Sequence, residues 1–275
     1  MTKATLLIRH LPIGRIAFSL GMAIGLMVVA VACSPSTGDA WERIHDAGIL
    51  RIGVDPTYPP FALDDEGNLA GIDIDLSRAL AAELGLEPQF TYFGYDGLYD
   101  ALTTGQVDVL ISALVIAPER TKEIAYTVHY FDAGLFLVMP AGSNPAANMN
   151  DLSGASLAVE LGTLGHVEAL QWQRRLADLT IQTYGSVDEA LGSVATGENE
   201  AALVDYISAR LYIRDNPATD TNLTLTYAPV PIVSEPYALA VRIEDRILLA
   251  NLNDALGRLE SSGRLNEIIE SNLDP

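Results

Sequence analysis

The sequence predicts an α/β protein of two lobes, in which each lobe has a mostly parallel sheet flanked by helices. Three observations support this prediction. Short apolar strands alternate with helical patterns, this alternation occurs twice, and apolar extended stretches flank the second set. Strands separated by helices of this length are typical of βαβ units. Of the 275 residues, 49% are hydrophobic, which is enough for a real core.

The elements of both lobes follow the order strand, helix, strand, helix, strand. The first set reads ILRIGV, IDLSRALAAEL, PQFTYF, YDGLYDALTTG and VDVLIS, and the second reads SLAVEL, HVEALQWQRRL, TIQTYG, VDEALGSVATG and AALVDY. The second helix of each set ends in Thr-Gly, where the glycine supplies the left-handed turn that stops a helix. We therefore predict two lobes of similar architecture.

Two extended stretches, AGLFLVMPAGSNP and VPIVSEPYALAVR, flank the second set, so the chain crosses between the lobes twice. Two crossing strands form a hinge. The last segment, Ile247 to Leu273, has helical spacing and a Ser-Ser-Gly break, which predicts two helices packed on lobe one. The predicted lobes are 41–136 with 238–275 for lobe one, and 137–237 for lobe two with hinge strands at its ends.

The amino-terminal segment has the pattern of a secretory signal. Lys3, Arg9 and Arg15 precede an apolar run that ends in Ala-Val-Ala-Cys. Cys33 is the only cysteine, which excludes an internal disulfide. Its position resembles that of the lipidated cysteine in a bacterial lipobox. We predict a signal peptide over residues 1–32, lipidation of Cys33 and a tether linker over 33–40, with an uncleaved membrane anchor as the alternative. Both place the body of the protein outside the cytoplasm, anchored to the cell membrane or in the periplasm.

Composition excludes several classes of function. The formal net charge of −20 repels nucleic acid, so we expect no nucleic-acid partner. The four histidines are scattered, and no spacing typical of a metal site, a nucleophile or a phosphate loop occurs. We therefore expect neither a metal nor a cofactor.

Several segments carry a family resemblance from Trp41 to Leu273. They are LRIGVDPTYPPF, GIDIDLSRALAAELG, YDGLYDALTTGQVDVLISALVIAPERTKEIAYT and YFDAGLFLV, together with the carboxyl-terminal helices. Taken together they resemble the extracytoplasmic solute-binding proteins of ABC importers, in the bacterial family 3 group that captures polar amino acids. The resemblance implies a type II periplasmic-binding-protein-like fold that closes on its ligand by a two-strand hinge. It also implies a monomer whose partners are an ABC permease and its ATPase subunit.

Two charged residues stand at strand ends that face the predicted cleft between the lobes. Arg120 comes shortly after VDVLIS, and its guanidinium can grip a carboxylate with two parallel hydrogen bonds. The alternative for Arg120 is a surface ion pair with Glu119 or Glu123. Asp205 ends the strand AALVD, where the resemblance implies a contact to the ligand ammonium. Its alternative role is the N-cap of the helix YISARLYI, and one residue can serve both.

A proline-rich turn follows the first strand. It holds Asp55 and Tyr58 where the resemblance places contacts to the ligand side chain, and rigid placement lowers the ordering cost of binding. The amides of Gly162 and Thr163, at a helix start, can complete a carboxylate site. The resemblance adds Tyr95, Ser112, Ala113, Val115, Glu160 and Leu164 to the site.

The ligand predicted from these residues is an amino acid. Asp55 and Glu160, beside Tyr58 and Tyr95, suit a cationic side chain, which favours arginine, lysine or ornithine. Val115 and Leu164 lack hydroxyls or small residues common in the family, which leaves the ligand's identity open.

Two other functions compete with capture for transport. Some relatives on this scaffold are dehydratases of cyclic carboxylic acids, in which Glu160 would be a general acid while Arg120 held the substrate. The other alternative is an extracytoplasmic ligand sensor. We predict a binding protein with no catalytic residues.

Overall fold

A computed structural model describes residues 39–142, 146, 148–217 and 223–273. The predicted signal peptide, Cys33 and most of the predicted tether lie outside the described residues. The strands are β1 (Ile49–Val54), β2 (Thr57–Tyr58), β3 (Ala62–Asp65), β4 (Asn68–Ala70), β5 (Glu87–Tyr92), β6 (Val109–Leu110), β7 (Ile124–Asp132), β8 (Leu135–Pro140), β9 (Ser156–Glu160), β10 (Thr180–Tyr184), β11 (Ala201–Asp205), β12 (Leu225–Tyr227) and β13 (Pro236–Arg242). The helices are α1 (Trp41–Ala47), α2 (Ile72–Leu84), α3 (Leu98–Thr103), α4 (Leu164–Gln173), α5 (Val187–Ala195), α6 (Tyr206–Asp215), α7 (Arg246–Ser261) and α8 (Arg264–Leu273).

Lobe one is built on a five-stranded sheet of order β5-β1-β6-β13-β7. Leu50 of β1 packs in one buried cluster with Leu80 of α2, Leu252 of α7 and Ile268 of α8. Leu110 of β6 belongs to a second cluster, which α3 covers. The two carboxyl-terminal helices therefore pack on lobe one, as their apolar spacing predicts.

Lobe two is built on a second five-stranded sheet, of order β10-β9-β11-β8-β12. Its strand β9 is covered on both faces, since Leu157 packs in a cluster with Ala169 of α4 while Ala158 packs with Leu191 of α5. The glycines after the two matching Thr residues, Gly105 and Gly197, have φ of 74° and 77°. These are the left-handed helix stops that the Thr-Gly pairs predict.

Each sheet contains two parallel and two antiparallel strand pairs, so both are more mixed than the strand–helix alternation predicts. The antiparallel pairs involve β13, which returns from lobe two, and β8, which enters it. Hydrophobic periodicity identifies a strand but not its direction, which depends on how the chain crosses between sheets. The predicted strand VDVLIS is also shorter than expected, because only Val109–Leu110 forms regular ladder pairs.

A small antiparallel sheet of β2, β3 and β4 follows the first strand, where the sequence predicts only a stiff turn. Its hairpin turns at Glu66 and Gly67, which have φ of 51° and 90°. Positive φ at both central positions is typical of a tight hairpin turn. Tyr58 of β2 stacks on the buried Phe61, with ring centroids 5.5 Å apart.

The two crossings between the lobes run side by side. Ala133 N–H donates to the Glu235 carbonyl (3.0 Å) and Leu135 N–H donates to the Val233 carbonyl (2.8 Å). A Cβ at Gly134 would lie 1.9 Å from the Val233 carbonyl oxygen, so this close approach requires glycine. The crossings therefore form a paired two-stranded connection. Within the described part of the chain, no helix has the length and hydropathy needed to cross a membrane.

Candidate ligand-binding site

A cavity of about 230 Å³ lies where lobe two meets the crossing segments. It opens at the carboxyl ends of β9 and β11, the position at which α/β sheets bind ligands. Its lining brings together five of the residues predicted from the sequence and one that was not predicted, Glu235. These six are Tyr58, Glu160, Thr163, Leu164, Asp205 and Glu235.

Three other predicted residues, Tyr95, Val115 and Arg120, line a pocket of about 390 Å³ on lobe one. The two pockets adjoin, because Val115 forms an antiparallel bridge with Tyr237, which lines the lobe-two cavity. The pKa of Tyr95 responds to a charged residue of each pocket. Burial raises its pKa, the charge of Glu235 adds to that rise, and Arg120 opposes it. Eight of the twelve predicted site residues therefore line one or the other of two adjoining pockets.

Arg120 lies in a 3₁₀ turn, Pro118–Arg120, after β6. Its guanidinium carbon is 4.2 Å from the centroid of the Tyr99 ring, which is a cation–π contact. No described carboxylate, including those of Glu119 and Glu123, lies within 4.0 Å of it, so the alternative surface ion pair is not formed. The guanidinium is thus held by an aromatic face and keeps its charge-assisted hydrogen bonds for another partner.

Asp205 is the last residue of β11 and precedes α6. Its Oδ1 accepts a hydrogen bond from the Ser208 N–H at 2.8 Å. Asp205 therefore caps α6, which is the alternative role that the sequence suggests. Its Oδ2 has no hydrogen-bond partner among the described residues, and Asp205 lines the cavity. The capping role therefore occupies one oxygen and leaves the other for a ligand.

Comparison with known proteins gives the family. The model of the bacterial extracellular solute-binding proteins, family 3, matches residues 50–274, which is most of the chain. The chain belongs to this family.

Relatives of this solute-binding protein cover most of its length. The L-cystine-binding protein TcyJ of Escherichia coli is 26% identical over 261 residues, which are 94% of this chain and 95% of TcyJ. The ABC transporter arginine-binding protein 1 of Escherichia coli is 27% identical over 225 residues, which are 80% and 88% of the two chains. A solved ancestral cationic amino acid solute-binding protein is 30% identical, with a TM-score of 0.58, and the match covers 84% of this chain and 98% of that one.

Two predicted site residues of this solute-binding protein have internal partners instead. Asp55 Oδ1 accepts from the N–H (3.2 Å) and the Oγ1 (2.7 Å) of Thr57, and Asp55 lines neither pocket. The Ser112 Oγ accepts from the Asp55 N–H at 3.0 Å, which ties the ends of two neighbouring strands together. Asp55 and Ser112 therefore line neither of the two pockets.

At the start of α4, the amides of Gly162 and Thr163, which the sequence predicts as donors to a ligand, bond to neighbouring residues instead. Gly162 N–H donates to His166 Nδ1 at 3.2 Å, and Thr163 N–H points to a backbone carbonyl at 3.4 Å. Thr163 Oγ1 in turn caps the helix by accepting from the His166 N–H. Among the described residues, the amides at this helix start without partners are those of Leu164 and Gly165, which both line the cavity. A helix N-terminus does face the cavity, but its open amides lie two residues later than predicted.

Sequence reasoning missed Asp73, a fully buried carboxylate in the first turn of α2. Its Oδ2 accepts from the Ala113 N–H at 2.8 Å and its Oδ1 accepts from the Tyr130 hydroxyl at 2.5 Å. Burial raises the pKa of Asp73 to about 7, although both hydrogen bonds oppose the rise. Ala113 has a φ of 46°, so Asp73 holds a strained residue of the predicted site in place. The sequence signal that points to a buried Asp73 is its place between two isoleucines, Ile72 and Ile74, in GIDIDL.

Proposed function

We propose that this protein is the extracytoplasmic binding component of an ABC importer and that it captures an amino acid with a cationic side chain, namely arginine, lysine or ornithine. The observation that carries the proposal is the pair of charges on the two lobes. Arg120 has no described carboxylate partner, and one oxygen of Asp205 is unpaired among the described residues. A free amino acid has the complementary carboxylate and ammonium.

The side chain of the ligand would meet Glu160 and Tyr58 in the cavity. A carboxylate beside an aromatic ring favours a guanidinium or ammonium group. The names of two similar proteins agree with a cationic ligand. One relative is an arginine-binding protein, and one solved structure is an ancestral cationic amino acid solute-binding protein.

Capture would proceed by hinge closure. We take lobe one to hold residues 41–136 and 238–275 and lobe two to hold 137–237. A ligand that bridges Arg120 and Asp205 interacts fully only when the lobes approach, so it favours the closed form. A membrane permease with its ATPase subunit would recognise that form, and a lipid on Cys33 would keep the monomeric protein at the membrane.

Isothermal titration calorimetry with the twenty amino acids and ornithine tests the proposal. We expect arginine, lysine or ornithine to bind most tightly, because their two cationic groups match the available carboxylates. Tighter binding of an acidic or small neutral amino acid would contradict the cationic assignment. Turnover of a prephenate-like acid that is lost in Glu160→Gln would instead favour the dehydratase alternative.

A further inference from the structure

We propose that Glu235, on the second crossing segment, is the carboxylate that selects a cationic ligand side chain. This inference rests on the proposed function. It assigns the ligand specificity to a residue that lies outside the strand ends from which the sequence predicts the site. Glu235 lines the same cavity as Glu160 and Asp205.

The backbone of Glu235 is fixed on both sides by the first crossing segment. Its N–H donates to Asp132 Oδ1 at 2.9 Å, and its carbonyl accepts from the Ala133 N–H at 3.0 Å. The same Asp132 carboxylate accepts from the Gly134 N–H at 2.9 Å and from the Ser234 hydroxyl at 2.5 Å. The backbone that carries the Glu235 side chain is therefore held by hydrogen bonds to the first crossing segment, and a positioned binding group costs less to order.

The carboxylate of Glu235 has no hydrogen bond or ion pair with any described residue. Its charge adds to burial in raising the pKa of both Tyr237 and Tyr95. Tyr58 and Tyr237 line the cavity with it. An unpaired anion bordered by aromatic rings offers both charge pairing and cation–π contact to a cationic group.

Charge balance in the cavity supports the same ligand chemistry. Its described lining contains three carboxylates, those of Glu160, Asp205 and Glu235, and no lysine, arginine or histidine. If Asp205 takes the ligand ammonium, two carboxylates remain for the side chain. Closure around a neutral or acidic side chain would bury these anions without a counter-charge, which is costly. Asp55, the other acid predicted from the sequence, does not line this cavity.

Glu235→Gln removes the charge and keeps the shape, and it leaves the backbone bonds of the crossing intact. Calorimetry should compare arginine with citrulline, a neutral molecule of nearly the same shape, for the wild type and for this variant. We expect arginine affinity to fall about 10- to 100-fold, the range for a lost charge-assisted hydrogen bond. Citrulline affinity should change by less than about threefold. Glu198→Gln, in an exposed turn before β11, is the matched control and should leave both affinities unchanged.

The outcomes separate the inference from the proposed function. If wild type binds arginine and Glu235→Gln binds it as tightly, or loses arginine and citrulline equally, the role of Glu235 is refuted and the proposed function stands. If wild type binds neither arginine, lysine nor ornithine, both are refuted. Melting curves of the variant and of Glu198→Gln should coincide with that of wild type, which shows that any lost affinity is not lost folding.

Discussion

Two arginines, one at the cleft and one between two helices, show how differently this protein uses a guanidinium. Arg210 of α6 pairs with Glu270 of α8 in a bidentate arrangement, with Nη1–Oε1 and Nη2–Oε2 distances of 3.0 and 2.6 Å. Its side chain is only 9% exposed. Arg120 rests on the Tyr99 ring without a described carboxylate. The bidentate pairing that joins α6 to α8 is thus left incomplete at the cleft.

The difference is one of role. A bidentate pair inside the protein stabilises one geometry, whereas a positioned but unpaired guanidinium costs little to keep near solvent and gains most when a carboxylate arrives. If this distinction holds, removing Arg120 should remove ligand binding without loss of stability. Disrupting the pair of Arg210 and Glu270 should do the reverse.

Arg120→Ala should have the largest effect on binding. We expect affinity for the proposed ligand to fall about 100-fold or more, because truncating one partner of a desolvated charge pair leaves the other charge unpaired. The melting temperature without ligand should change little, since the contact with Tyr99 is the one ring contact or ion pair of this side chain among the described residues. Calorimetry and thermal unfolding measure the two quantities, and an unchanged affinity would mean that Arg120 is a surface residue.

Asp205→Asn should have the next largest effect on affinity, a loss of about tenfold or more. Asparagine caps helices as well as aspartate does, so the bond to the Ser208 N–H and the stability of α6 should persist. The variant therefore separates the two roles of this residue. Weaker binding with equal melting temperature supports the ligand role, and equal binding would leave capping as its whole function.

Glu270→Gln should give the smallest effect, and on stability rather than on binding. We expect the free energy of unfolding at pH 7 to fall by about 1 kcal/mol, because one partner of the pair loses its charge. Ligand affinity should stay within about threefold of wild type. Denaturant unfolding and calorimetry test this, and a hundredfold loss of affinity would contradict the division between the two arginines.

The pH dependence of the same variant sharpens this result. The hydrogen bonds from Arg210 lower the pKa of Glu270 below its ordinary value of 4.5. A carboxyl whose folded pKa is lowered stabilises the protein above its unfolded pKa, and that contribution is lost as the pH falls through the folded pKa. The stability difference between wild type and Glu270→Gln should therefore be full near pH 7 and be lost in acid, as the pH falls through the lowered folded pKa of Glu270. A difference that did not change with pH would exclude the charge as its cause.

Much of the fold could be predicted because periodicity reports burial directly. The strand Ile49–Val54 and the helix Ile72–Leu84 follow from apolar spacing, and Gly105 and Gly197 follow from helix-stop chemistry. Strand direction and the small sheet after β1 could not, because they depend on pairings between segments rather than on one segment's pattern.

The candidate site was predictable to the extent that it lies at strand ends. Arg120 and Asp205 line pockets because α/β sheets present their strand ends to a cleft. Asp55 Oδ1 accepts from Thr57, two residues away, which is a local bond that the sequence does not settle. Asp73 and Glu235 were missed because their roles depend on Tyr130 and Asp132, distant in the chain.

A crystal structure of the protein with its amino acid bound would test the central claim most directly. We predict that Arg120 holds the ligand carboxylate through two hydrogen bonds of about 2.8 Å and that Asp205 Oδ2 accepts from the ligand ammonium at a similar distance. A bound ligand whose carboxylate and ammonium contacted neither residue would contradict the account.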